Sequence, residues 1–119
     1  MLRAFQNWVA NANLNVGVVA DGGQDFTVGG AIQGDPRFGD IRIGARPLAG
    51  DVLAITAPFN LFSSYSGNVA LNTDNSVNVG GRDLFTVFLQ ESGHTFGVGN
   101  SPDPASVMYE YYIGNRGGL

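Results

Sequence analysis

The stretch Leu84-Phe85-Thr86-Val87-Phe88-Leu89-Gln90-Glu91-Ser92-Gly93-His94-Thr95-Phe96-Gly97-Val98-Gly99-Asn100-Ser101 decides how this chain is read. Asp83 stands where an N-cap is wanted, because its carboxylate can accept the free N–H groups of a first helical turn. A helix is therefore predicted from Asp83 through about Phe96, with Gly97 and Gly99 stopping it. On that helix, positions 90 and 94 share a face one turn apart, with Glu91 beside them. A His at 90 would complete H-E-x-x-H, in which two imidazoles hold a metal and the Glu acts as general base. Residue 90 is Gln instead, and position 100, which the Gly97 turn swings back toward that face, is Asn. Gly93 inside the helix costs roughly 1 kcal/mol against Ala, which implies a packing reason for it.

Downstream, Ser106-Val107-Met108-Tyr109 follows at short distance. The site stretch together with this tetrapeptide resembles the matrixin branch of the metzincin zinc endopeptidases. In that family a helix carries H-E-x-G-H, a glycine turn brings a third His, and a methionine turn underlies the zinc. The resemblance assigns Glu91 to the general-base position and His94 to a zinc ligand. Gln90 and Asn100 then stand at degenerate ligand positions, and Met108 is the methionine of the turn. It extends to the aromatic first helix, to Asn13–Val16, to Gly39–Ile43 and to the segments 52–57 and 67–72. Ile55, Ala70 and Asn72 stand where family members tend to carry ligands of structural metals. The resemblance also implies a further helix after the methionine turn. The chain stops at Leu119, where that helix would begin, so a single domain over 1–119, truncated at its C terminus, is expected.

Elsewhere the pattern is mostly that of short strands. Phe5, Trp8, Val9 and Ala12 recur at helical spacing and predict a helix over 3–12. Period-two alternation predicts strands at 14–18 and 40–43, a mostly apolar run predicts one at 51–57, and further strands are expected at 68–72 and 76–79. The expected architecture is α+β and metzincin-like. It has a twisted, mixed and mostly parallel sheet, an N-terminal helix, an active-site helix and an irregular tail holding the methionine turn. The Asp21/Asp25 and Asp35/Asp40 pairs read either as turn formers or as calcium ligands.

Composition excludes several classes. Charged residues are 13 % of the chain, about half the usual share. All six cations are Arg, against eight Asp and two Glu, for a net charge of −4. No basic face for nucleic acid emerges from that balance. No apolar run approaches the roughly 20 residues of a membrane helix. The absence of Cys removes disulfides and thiolate chemistry. With abundant Asn and Gly and no Lys, the composition suits a bacterial extracellular domain. Met1-Leu2-Arg3 does not lead into a signal sequence, so any export signal would lie outside this chain.

The chemistry of the substitutions disfavours zinc. A catalytic zinc takes about three imidazole, thiolate or carboxylate ligands, and an amide oxygen is neutral and hard. The expected function is a matrixin-like domain with a decayed zinc site, a pseudo-peptidase that keeps a cleft for a peptide or protein ligand. An active zinc endopeptidase with a non-standard ligand set, and a structural module of a larger extracellular protein, are the alternatives.

Overall fold

The computed structural model describes residues 1–59, 65–74 and 83–119. The strand expected at 76–79 lies outside the described residues. Helix α1 spans Leu2–Asn11 and buries Ala4 and Phe5. The expected apolar face is thus shifted by one turn. Ala12 sits beyond the last turn in extended backbone and is exposed, and its place in the buried stripe is taken by Ala4.

Three strands form one mixed sheet: β1 (Ile43–Arg46), β2 (Ala54–Thr56) and β3 (Val69–Asn72). The spatial order is β1-β3-β2, with β1 parallel and β2 antiparallel to the central strand. Ile43 stands opposite Val69, and Thr56 stands opposite Val69 on the other edge. Because β3 pairs on both sides, it carries the buried residues Val69, Ala70 and Asn72. Its buried asparagines fasten the neighbouring loops. Asn72 Oδ1 accepts the N–H groups of Leu48 and Asp74, and its Nδ2 donates to the Val52 carbonyl at 2.7 Å. Asn68 Nδ2 donates to the Phe26 carbonyl.

Two strand expectations need correction. Residues 14–18 form no strand: Val16 packs against the core, but Val18 is 79 % exposed and the segment joins no ladder. Alternation alone cannot supply the hydrogen-bonded partner a strand needs, and the segment lines a groove of about 1050 Å³ together with Ile41–Gly44. The strand expected at 40–43 starts at Ile43, because the Asp40 and Arg42 side chains are taken up by the preceding loop. The ladder still begins at the Arg42 carbonyl, which accepts the Val69 N–H at 2.8 Å.

Helix α2 spans Leu84–Thr95, as its sequence predicts. The core lies between the two helices and the sheet and consists of Ala4, Phe5, Val69, Phe88 and Leu89. The Phe5 and Phe96 rings meet edge to face at 5.9 Å, a favourable arrangement for the aromatic quadrupole. Trp8 Nε1 donates to the Leu89 carbonyl at 2.8 Å, which locks the indole against α2.

Gly93 explains its own presence in α2. A Cβ there would come within 2.7 Å of Trp8 Cζ2 and 2.5 Å of Met108 Sδ. Met108 is buried, as expected for the residue under the site helix. The thioether can shift, but the hydrogen-bonded indole cannot follow cheaply. Gly93→Ala is therefore expected to lower the melting temperature: overpacking costs ~1–3 kcal/mol and outweighs the ~1 kcal/mol that Ala regains in helix propensity. Thermal denaturation of the variant beside the native chain checks this, and an equal or higher melting temperature would count against the packing account.

Candidate functional site

The site is built from both ends of α2. At the N terminus, Asp83 accepts the N–H groups of Phe85 and Thr86 and the Thr86 hydroxyl, at 3.2, 3.1 and 2.8 Å. The Thr86 hydroxyl, followed by the two backbone donors, outweighs burial and holds the Asp83 carboxyl below its ordinary range. The same end collects the C-terminal tail. The Asp83 N–H donates to Tyr112 Oη, and the Arg116 N–H donates to Thr86 Oγ1.

At the C terminus, Gly97 takes φ +88° and closes a Schellman turn. The Val98 N–H bonds the Gly93 carbonyl, and the Gly97 N–H bonds the His94 carbonyl, both at 2.9 Å. That turn aims the Val98 carbonyl back at the His94 ring, 2.8 Å from Nδ1. A carbonyl only accepts, so Nδ1 carries the proton, and in the neutral ring Nε2 keeps its lone pair. A backbone carbonyl on one ring nitrogen is the arrangement that orients a histidine whose other nitrogen serves a ligand.

Gln90, Glu91, His94 and Asn100 line one cleft of about 810 Å³ between β2, α2 and the tail. Four of the residues singled out from sequence therefore converge, and Met108 lies buried beneath them against Gly93. Their engagements differ. Gln90 Nε2 donates to the Tyr109 carbonyl at 3.0 Å, which ties α2 to the methionine turn. Glu91 is buried, and its Oε2 accepts the Thr56 hydroxyl at 2.5 Å, which ties α2 to β2. Asn100 is exposed at the cleft mouth. Sequence reasoning missed Thr56 and the Tyr109 carbonyl. Both act through long-range contacts that no local pattern announces.

The methionine turn is held by its own side chains. Ser101 N–H donates to the Met108 carbonyl, and Met108 N–H donates to Ser106 Oγ. Asp103 caps the intervening loop by accepting the Ala105 N–H.

The zinc that the resemblance implies does not fit this donor set. Among the described residues no three His, Cys, Asp or Glu side chains are grouped to hold a metal ion. His94 is the one imidazole in the chain. The Gln90 amide is committed to a backbone carbonyl, and the Glu91 carboxyl to a hydroxyl. Zinc needs about three imidazole, thiolate or carboxylate ligands, and the described residues group no such set.

Burial raises the Glu91 carboxyl above its ordinary value, against the opposing pulls of the Thr56 hydroxyl and the His94 charge. A carboxyl raised in the folded state keeps its full contribution to stability below the unfolded-state value. It loses that contribution as pH climbs through the folded value. Glu91→Gln does not titrate. The stability of Glu91→Gln relative to the native chain is therefore expected to rise from acid toward neutral pH. Melting curves of both proteins across that range test the sign, and a flat or inverted difference would contradict it.

No curated protein matches the chain. The matrixin family model matches residues 1–117, nearly its whole length. On that match the chain belongs to the matrixin family and is a metallopeptidase-like domain.

Proposed function

We propose that this domain is a pseudo-peptidase: a matrixin whose zinc site has decayed and whose cleft still binds an extended peptide. The observation that carries the reading is the Gln90–Tyr109 bond. At the first ligand position an amide side chain closes on the protein's own backbone. Glu91, at the base position, is likewise turned onto Thr56. A water without a bound metal keeps its bulk acidity, and a buried carboxyl alone does not activate it for attack on an amide.

The cleft supports peptide binding through its wall. β2 pairs with β3 on one side only, among the described residues, and residues 51–56 border the cleft. An edge strand offers backbone donors and acceptors to an added strand, and Ile55, 41 % exposed, offers apolar contact. Recognition of that kind depends on main-chain hydrogen bonds and not on a metal. The likeness to a secreted protease family supports a location outside the cell.

One observation favours the alternative of an active zinc endopeptidase with a non-standard ligand set. His94 is held by Val98 in the pose of a ligand, with Nε2 uncommitted by that bond. A structural role in a larger extracellular protein is the third reading. It requires no occupied cleft.

Zinc content of metal-replete, purified protein separates the first two readings. The expected value is far below one zinc per chain. Near-stoichiometric zinc that is lost in His94→Ala would overturn the decayed-site reading. Gln90→His combined with Asn100→His is expected to gain zinc, and a folded double variant that takes up none would show those positions misassigned. Binding without cleavage on a peptide array favours the pseudo-peptidase over the structural module.

A further inference from the structure

We propose that the Arg42 guanidinium is the fixed cation of the 21–40 loop, holding it without bound calcium. This goes beyond the reading of the cleft and does not depend on it. The loop carries Asp21, Asp25, Asp35 and Asp40 among glycines, a composition that also suits calcium. Its oxygens converge elsewhere. Arg42 Nε and Nη2 donate to the two carboxylate oxygens of Asp21, at 2.6 and 3.1 Å. Nη1 donates to the Asp25 carbonyl at 2.9 Å, and Nη2 also reaches the Gln24 carbonyl. Four oxygens from three residues thus meet one positive group, which is how a hard cation gathers a loop.

The guanidinium is placed to do this. Its side chain is 9 % exposed. Its carbon lies 4.3 Å from the Phe38 ring centroid and 5.4 Å from that of Phe26, so aromatic faces border it. The Arg42 backbone is fixed by the sheet, since its carbonyl accepts the Val69 N–H and its N–H donates to Asn68 Oδ1. One residue therefore connects the loop to the central strand. Hydrogen bonds from Arg42 first, then from the Gly23 N–H, hold the Asp21 carboxyl below its ordinary value.

The Asp35 and Asp40 carboxylates work in the same way. Asp35 accepts Nε and Nη2 of Arg37 at 2.9 and 2.7 Å, and also the Arg37 N–H. Asp40 Oδ1 accepts the Gly34 N–H at 2.7 Å. These oxygens point at N–H donors within their own loop. An arginine stays charged at every working pH and cannot dissociate from the chain.

The test compares melting temperatures of the native protein in EDTA and in calcium at the millimolar level used by extracellular modules. No difference is expected. A rise of several degrees with calcium, or a fall with EDTA, would overturn the proposal. Limited proteolysis gives the second arm. Arg42→Gln is expected to be cut within 21–40 roughly tenfold faster or more than the native chain, as local opening becomes easier. Cleavage there at the native rate would also overturn it. Should Arg42→Gln fail to fold, Arg42→Lys keeps the charge but loses the planar fork, and is expected to be cut at an intermediate rate; a native rate would count against the fork.

Discussion

The space that one Cβ would fill at position 93 is occupied by Trp8 and Met108. Much of the molecule depends on that contact. Trp8 belongs to α1 and hydrogen-bonds the α2 backbone at Leu89, so α1 reaches α2 through the gap the glycine leaves. Met108 belongs to the turn beneath the site, and the same gap lets that turn rise against the helix. A larger residue would push Trp8 and Met108 away from α2. The helix gives up propensity at Gly93 and gains an approach that no other residue type permits.

Above that floor, hydrogen bonds between protein groups link the elements around the cleft. Gln90 joins α2 to the methionine turn, Glu91 joins it to β2, and the Val98 carbonyl fixes the His94 ring. The buried Asn72 satisfies two N–H groups and a carbonyl from the loops around β3, and Arg42 gathers the loop before β1. Each link consists of ordinary hydrogen bonds worth about 1 kcal/mol net, or somewhat more where charge assists. Together they tie α2 to β2, to the turn at Met108 and to its own C-terminal loop.

The sequence was most legible where the physics is local. Asp83 as a cap and Gly97 as a stop bounded α2 to within a residue, because both act on the nearest backbone groups. The spacing of Gln90, Glu91, His94 and Asn100 was enough to place them in one cleft, since helix geometry and a single turn fix their relation. Strands were less legible. Alternation at 14–18 describes a side-chain pattern, and a strand also needs a hydrogen-bonded neighbour, which this segment does not have among the described residues. The start of β1 moved because Arg42 answers to oxygens some 17 to 21 residues away. The tail after Tyr109 looked like coil in sequence, yet Tyr112 and Arg116 dock it on the first turn of α2. Contacts across such separations leave no periodic trace.

His94 is the chain's one imidazole, so its nitrogen-15 resonances report on the site without overlap. Nδ1 holds its proton against the Val98 carbonyl, and the decayed-site reading requires Nε2 to carry no metal. The predicted spectrum is that of the neutral Nδ1–H tautomer, unchanged by stoichiometric zinc. A zinc-dependent shift of the Nε2 resonance would contradict that reading.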